Sequence, residues 1–353
     1  MATFLEQLGL SLPIIQAPMA GVSTPELAAA VSNAGGLGSI ALGASNLATA
    51  RAMIADLRAR SDCAFNLNVF VHSAPVHDSA RESAWLAALA PHFQAFGASA
   101  PSSLGEIYPS FQYDDALFEL LLEAKPPVIS FHFGLPSPDR IDALKKAGAF
   151  LLASVTNREE AMLAKQVGID ALVAQGIEAG GHRGTFDPNG RDECLSTLVL
   201  TRLLVREFDL PVIAAGGIMD GFGIAAALKL GAVAAQLGTA FIACPESSAA
   251  AAHRAALLSR DEARTAMTRA ISGWPARCLV NRFTAFGEEH ADLVPPDYPL
   301  TYDAGKALHA AASAKGEYGY GAYWAGQGVS LARALPASEL MQLLASELQV
   351  ALA

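Results

Sequence analysis

Eight short apolar runs, each followed by a longer segment of helical character, constrain this chain more than any other feature of its sequence. The runs are PIIQAPM (13–19), LGSIAL (37–42), AFNLNVF (64–70), PVISFHF (127–133), AFLLASV (149–155), DALVAQG (170–176), PVIAAGG (211–217) and AAQLGTAF (234–241). Near-continuous apolar runs mark strands covered on both faces. Helical patterns intervene at 25–34, 46–59, 80–95, 137–147, 157–167, 196–208 and 220–230. Several open on a residue able to cap the first turn, namely Thr24, Ser45, Asn157 and Asp220. Strands alternating with helices make a parallel sheet, and eight such units predict a closed (β/α)8 TIM barrel.

The last unit is interrupted. From Pro245 to Tyr323 an alanine-rich helical stretch leads into GWPARCLVNRF and then PPDYPLTYDAGKALHAAASAKGEYGYGAYW, and neither continues the alternation. This predicts a smaller, mostly helical domain at 245–323, inserted into a barrel made of 1–244 and 324–353. An amphipathic helix at 330–350 then closes the barrel. The stretch 97–113, GASAPSSLGEIYPSFQY, is long, turn-rich and aromatic, the character of a functional loop.

With 353 residues, 52% of them hydrophobic and 16% charged, the chain can fill such a core without disulfides. A formal charge of −10 and the lack of clustered Lys and Arg argue against nucleic acid and for a small-molecule ligand. Cys63, Cys194, Cys244 and Cys278 stand far apart, with no zinc-type spacing, so free thiols and no metal are expected. The opening MATFLEQLGLSLPII has no basic segment ahead of an apolar one, and no apolar run of about 18 residues occurs. A cytoplasmic protein without membrane contact is expected. The oligomeric state stays open, with a homodimer as one compatible assembly.

Active sites of such barrels lie at the C-terminal ends of the strands. There the sequence places QAPM, FNLN, AQGIEAGGHRG, AAGGI and QLGTAF. Gly216 and Gly217 end the seventh run, and Gly238 and Thr239 fall in the eighth. Small residues on neighbouring strands let main-chain N–H groups reach a phosphate. One such pair is explained as well by a tight turn, two adjacent pairs less readily. His182 stands on the rim of AQGIEAGGHRGTF, whose glycines let a ligand approach the main chain. A lone histidine is usually structural, but beside a glycine cradle it is a candidate base or hydrogen-bonding group. Tyr298, Tyr302 and Lys306 recur every fourth residue, which on a helix aligns two phenols and an ammonium. Core packing is the bland reading of the tyrosines; the lysine in line favours a binding face.

PIIQAPMAGVSTPELAAAVSNAGGLGSI, AQGIEAGGHRGTF and PVIAAGGIMDGFGIAAALKLGAVAAQLGTAFIACPES together resemble the FMN-dependent nitronate monooxygenases, formerly called 2-nitropropane dioxygenases. The likeness runs over nearly the whole chain. These three motifs are shared with flavin-dependent quinone reductases and an enoyl-acyl-carrier-protein reductase. FNLNVF, GEIYPSF, SFHFGLP and YPLTYDAGKAL narrow the resemblance to class I nitronate monooxygenases.

By this resemblance Ala17, Pro18 and Met19 line the flavin ring, and Asn68 and Gln175 hydrogen-bond its isoalloxazine or ribityl groups. Gly180, Gly181, Gly216, Gly217, Gln236, Leu237, Gly238 and Thr239 hold the FMN chain and phosphate, and Trp324 and Gln327 match the closing segment. His182 is the implied catalytic residue, with Tyr108, His132, Tyr298, Tyr302 and Lys306 forming the substrate wall. The resemblance implies one-electron transfer from a nitronate to FMN. The resulting flavin semiquinone passes its electron to O2, giving a carbonyl compound and nitrite. Lys306 and the tyrosines suit a substrate with a second negative group, as in propionate 3-nitronate, a toxin that the family detoxifies. The rival flavoenzyme reading is an NAD(P)H:quinone reductase on the same barrel. A barrel binding a phosphorylated metabolite without redox chemistry is the rival from another class.

Overall fold

In the computed structural model, which describes residues 3–259 and 263–353, the eight apolar runs form one parallel sheet. Residues 1–2, in the expected barrel, and 260–262, in the expected insertion, lie outside the described residues. The barrel strands are β1 (Ile14–Gln16), β2 (Gly38–Ala41), β3 (Phe65–Phe70), β4 (Val128–His132), β5 (Phe150–Val155) and β6 (Ala171–Gln175). A short strand β7 (Gly181–His182) lies outside the barrel, which resumes with β8 (Val212–Ala215) and β9 (Ala234–Leu237). Their order is β1-β9-β8-β6-β5-β4-β3-β2. The ring is closed by a parallel bridge between Ile15 and Leu37, where Leu37 N donates to Ile14 O at 2.9 Å and Gln16 N to Leu37 O at 3.0 Å.

Successive strand residues face opposite ways. Ile15, Val128, Leu152, Val173, Ile213 and Ala234 form one buried cluster inside the barrel, with Phe4 of the helix Phe4–Leu8 packed against it. Their neighbours Ile129, Leu151, Ala153, Leu172 and Ala174 pack outward against the surrounding helices. The closing helix is Ala337–Leu352, later than the expected 330–350, because a 3-10 turn at Val329–Leu331 precedes it. It packs on the helix Gly221–Lys229 so closely that a Cβ at Gly221 would stand 2.2 Å from Leu348 N.

Other boundaries also shift. The eighth run does not stay extended to 241: β9 stops at Leu237, and Thr239–Ile242 turns into a short helix with Gly238 at its start. Gly238 and Thr239 therefore follow the strand instead of lying in it. Asn46, not Ser45, caps the helix Leu47–Arg60, its Oδ1 accepting from Thr49 N at 2.9 Å. A helix at Asp115–Ala124, not anticipated, follows the 97–113 loop.

After Pro245 the chain forms helices Ala251–Leu257, Arg282–Glu289 and Leu300–Ser313. It also forms an antiparallel pair absent from the sequence reading, β10 (Thr265–Thr268) and β11 (Ala276–Leu279). β11 pairs on its other edge with β7, so the histidine-bearing segment after β6 is hydrogen-bonded to this region. Polar latches join it to the helix Ser79–Ala95 and the loops on either side of it: Asp297 accepts from Arg81 Nη1 at 2.9 Å and Val76 N at 3.0 Å, and Asp303 from Gly105 N at 2.9 Å. Among the described residues no helix is long and apolar enough to cross a membrane.

Candidate active site

The C-terminal strand ends open into a cavity of about 740 Å³, roofed by the segments around Tyr298–Lys306 and Tyr320–Trp324. Its first wall is built from β1. Buried Gln16 ends that strand, its Oε1 accepting from Ser39 N at 2.9 Å and its Nε2 donating to Ser23 Oγ at 2.9 Å. Ser23 Oγ also accepts from Met19 N at 2.9 Å, and Ala17 N donates to Leu237 O at 2.8 Å. The turn carrying Ala17, Pro18 and Met19 is thus held against β9.

Asn68 in β3 donates its Nδ2 to Ser130 O at 3.1 Å and Ser130 Oγ at 3.0 Å, which leaves Oδ1 as an acceptor for a ligand. Gln175, ending β6, gives one N–H to His182 O at 3.0 Å, while its Oε1 accepts from Gly184 N at 2.7 Å and Arg183 Nη1 at 3.2 Å. Its second N–H remains for a ligand. Gly217, φ +70°, and Gly181, φ +74°, follow β8 and form β7, respectively, in conformations that favour glycine.

His182 is set by a chain of contacts. Its Nε2 is 2.9 Å from Ser272 Oγ, and Ser272 donates its single hydroxyl proton to Trp274 O at 3.3 Å. Ser272 therefore accepts from Nε2–H, and the lone pair of His182 lies on Nδ1. Burial, with His132 and His72 nearby, pushes the His182 imidazole down to about 3. It is neutral at ordinary pH, as a base or hydrogen-bonding group must be. His132 is likewise lowered to about 4, mainly by burial, and donates Nε2–H to His182 O at 3.2 Å. Arg183, only 1% exposed, secures the loop: Nε and Nη2 pair with Asp192 at 2.8 and 2.9 Å, and Nη1 donates to Gln175 O at 2.9 Å.

The facing wall is aromatic. The helix Leu300–Ser313 carries Tyr302 and Lys306, but Tyr298 precedes it and lies off its face. Even so Tyr298 and Tyr302 meet, with ring centroids 6.4 Å apart, and lie 5.4 and 6.0 Å from the His182 ring. Lys306 Nζ hydrogen-bonds Tyr108 Oη and stands 5.0 Å over the Tyr108 ring and 5.5 Å over that of Tyr302. Burial raises the Tyr298 and Tyr302 phenols above their ordinary value, so both are hydroxyl groups at neutral pH.

Most residues singled out in the sequence line this one cavity: Ala17, Pro18, Met19, Asn68, Tyr108, His132, Gln175, Gly180, Gly181, His182, Gly216, Gly217, Gln236, Gly238, Thr239, Tyr298, Tyr302, Lys306 and Trp324. Leu237 does not; its side chain is buried in the core beneath β9. Gln327 lines a smaller neighbouring cavity of about 360 Å³ behind the Gly216–Gly217 turn. Sequence reasoning missed Phe133, Ser272 and Trp274. Phe133 follows β4 at φ +75°, a strained value for a bulky residue, and packs 4.6 Å from Trp274 and 5.5 Å from His182. Ser272 and Trp274 sit in a segment without a motif, though GWP marks a turn. Among the described residues no aspartate or glutamate lines the main cavity, and Lys306 is its only formally charged side chain.

A family model described as nitronate monooxygenase matches residues 3–347. A nitronate monooxygenase of Paraburkholderia phytofirmans is 59% identical over 98% of this chain and 94% of its own. One of Pseudomonas aeruginosa is 54% identical over 98% and 99%. Among solved structures, a nitroalkane oxidase from Streptomyces ansochromogenes superposes with a TM-score of 0.89 at 41% identity, covering 97% of each chain. FabK from Thermotoga maritima gives a TM-score of 0.75 at 28% identity over 100% of this chain and 97% of its own.

Proposed function

From the premise that the chain belongs to the nitronate monooxygenase family and is an oxidoreductase, we propose an FMN-dependent enzyme that oxidises alkyl nitronates with O2 to a carbonyl compound and nitrite. Propionate 3-nitronate is the proposed substrate, detoxification the role and the cytoplasm the place. The barrel of 1–244 and 324–353 holds the cofactor, and 245–323 covers the substrate. The observation that carries this reading is a cavity wall that, among the described residues, holds one ammonium, several phenols and imidazoles and no carboxylate. Such a wall favours anions.

The residues present fit FMN. Asn68 Oδ1 is an acceptor for an imide N–H, and the second Gln175 N–H is a donor for a ring carbonyl. The turn at Gly216–Gly217 and the Gly238–Thr239 helix start offer main-chain groups to the phosphate. FMN held by these groups would supply the redox chemistry that joins nitronate oxidation to O2 reduction. The chain's own contribution is placement. Lys306 with Tyr108 binds the distal carboxylate, and the hydroxyls of Tyr298 and Tyr302 donate to the nitro oxygens. His182 Nδ1 takes a proton when a neutral nitroalkane is offered. Phe133, Trp274 and Trp324 around that imidazole keep water from it.

The test is the anaerobic absorbance spectrum of the FMN-loaded protein before and after propionate 3-nitronate. One-electron reduction of the flavin by the nitronate supports the reading. No change with nitronate, followed by bleaching with NADH or NADPH, moves the protein to the quinone reductases.

A further inference from the structure

The cavity continues past Lys306 into a part that the proposed chemistry does not use. One turn further along the helix Leu300–Ser313 stands His309, its ring 6.1 Å from Tyr323 and edge-on to it. Tyr323 in turn stacks on His253 at 4.9 Å with the rings only 10° apart. All three line the cavity. His253 and Tyr323 are 5% and 7% exposed, yet His253 Nε2 and Tyr323 Oη are both buried without a hydrogen-bond partner. Buried polar atoms in folded proteins are nearly always paired, so two adjacent orphans on a cavity wall point to an occupant.

The chemistry of the occupant follows from the donors and acceptors. The Trp324 main chain offsets a little of the burial that lowers His253, and a neutral imidazole carries one N–H and one lone pair, so the stacked pair offers both a donor and an acceptor. Tyr323 Oη has a proton to give. The neighbouring Arg254 is engaged elsewhere, its guanidinium donating to Ala249 O at 3.1 Å and Ser247 O at 2.6 Å. Burial holds the His253 imidazole at about 4, and lowers that of His309, so neither supplies a charge at neutral pH. The group that gives one proton, accepts one and carries no charge is a hydroxyl. From Tyr302 to His309 is seven residues, about 10 Å along the helix, so this wall is reached from the reacting end by a chain of moderate length.

We propose that His253 and Tyr323 form a distal subsite for an uncharged hydroxyl group at the far end of the nitronate, which makes medium-chain hydroxyalkyl nitronates a substrate class of this enzyme. The proposal rests on the nitronate reading of the site. It assigns the far end of the cavity a selectivity different from that of Lys306, which selects a carboxylate nearer the reacting carbon.

The test compares nitronates of ω-hydroxy-1-nitroalkanes of about five to eight carbons, the span set by the helix, with unsubstituted nitronates of equal length. The FMN-loaded wild type, His253→Phe and Tyr323→Phe are each assayed by oxygen uptake. In the wild type kcat/KM should favour the hydroxylated partner by about 3- to 10-fold at one length, the worth of a hydrogen bond made in place of an orphan. Each variant should bring that ratio near unity. A ratio near unity in the wild type, or one unchanged in both variants, overturns the proposal and assigns the orphans to ordered water. Loss of FMN in the variants with the ratio unchanged also overturns it and puts the cofactor chain there. If the wild type turns over no nitronate at all, the nitronate reading fails. The same ratio read as Kd, from anaerobic perturbation of the flavin absorbance, then decides the subsite by itself. Should His253→Phe not fold, Tyr323→Phe decides alone.

Discussion

His72 should make this protein acid-labile, and His72→Leu should remove part of that lability. The side chain follows β3, is 1% exposed, and packs edge-on to Tyr298 at 5.0 Å and Phe133 at 6.1 Å. Burial lowers its imidazole from 6.5 to about 4; the Tyr108 main chain offsets part of this, though neither ring nitrogen reaches a well-formed hydrogen bond. Because the folded value lies below the unfolded one, the unfolded chain takes up the proton first as pH falls. Stability is therefore intact above about pH 6.5 and declines by roughly 1.4 kcal/mol per pH unit until about pH 4. At about pH 5 the decline from this residue is roughly 2 kcal/mol, a sizeable share of the about 5–15 kcal/mol that holds a domain together. Urea unfolding of FMN-saturated wild type and His72→Leu at about pH 7, 6 and 5 measures it. Titrating groups out of reach of His72 cancel in the difference. The leucine variant should gain on the wild type by roughly 2 kcal/mol between about pH 7 and pH 5. A difference constant to within about 0.5 kcal/mol over that range would show that His72 takes up its proton in the folded state, and the argument would fall.

Four other outcomes are expected. His182→Asn should retain FMN and lower kcat/KM for a neutral nitroalkane by about 100-fold, less for the preformed nitronate; and since burial holds the imidazole at about 3, the wild-type pH profile should show no step near 6.5 from this group. Lys306→Met should raise KM for propionate 3-nitronate about 10-fold more than for an unsubstituted alkyl nitronate, the worth of a charged hydrogen bond, and equal increases would make Lys306 structural. A Cβ at Gly238 would meet Ala17 and Met19 only at 3.5 and 3.8 Å, so Gly238→Val should fold and yet lose FMN, as equilibrium dialysis would show. Arg183→Met takes the ion-pair partner from the partly exposed Asp192 carboxylate and a donor from Gln175 O, and urea titration should show a loss of about 1–3 kcal/mol.

The barrel was legible because both of its signals are local. β-branched runs and capping residues act within a few positions, and Thr24, Asn157 and Asp220 each accept the main-chain N–H expected of a cap. Errors came where a local signal had two readings. AAQLGTAF is apolar throughout, and periodicity cannot tell that its second half coils after Gly238. Tyr298 obeys the helical spacing, but Pro299 intervenes and the helix begins at Leu300. The β10–β11 pair escaped notice because TAMT and ARCL carry mixed side chains, and their pairing with each other and with β7 is long-range.

The distribution of acid explains why the site was only half legible. The chain has 34 Asp and Glu residues, yet none of those described lines the main cavity. Several are spent instead on holding the loops that make its wall. Asp192 pairs with Arg183 beneath the His182 loop. Buried Glu160 accepts from Thr156 N, Thr156 Oγ1, Thr185 Oγ1 and Phe186 N at 2.6–3.0 Å, tying that loop to the end of β5. Glu178 accepts from Thr197 N at 2.9 Å, and Asp297 and Asp303 latch the covering segment to the loops on either side of the helix Ser79–Ala95. A charged hydrogen bond of this kind contributes more than a neutral one, which suits loops that have no regular structure to hold them. Each latch joins residues that the sequence separates by anything from a few positions to more than two hundred, so no motif announces it. The glycines and the histidine advertise a ligand. What keeps them aimed at it is written in carboxylates turned away from the cavity, and these keep negative charge from the place where an anion must bind.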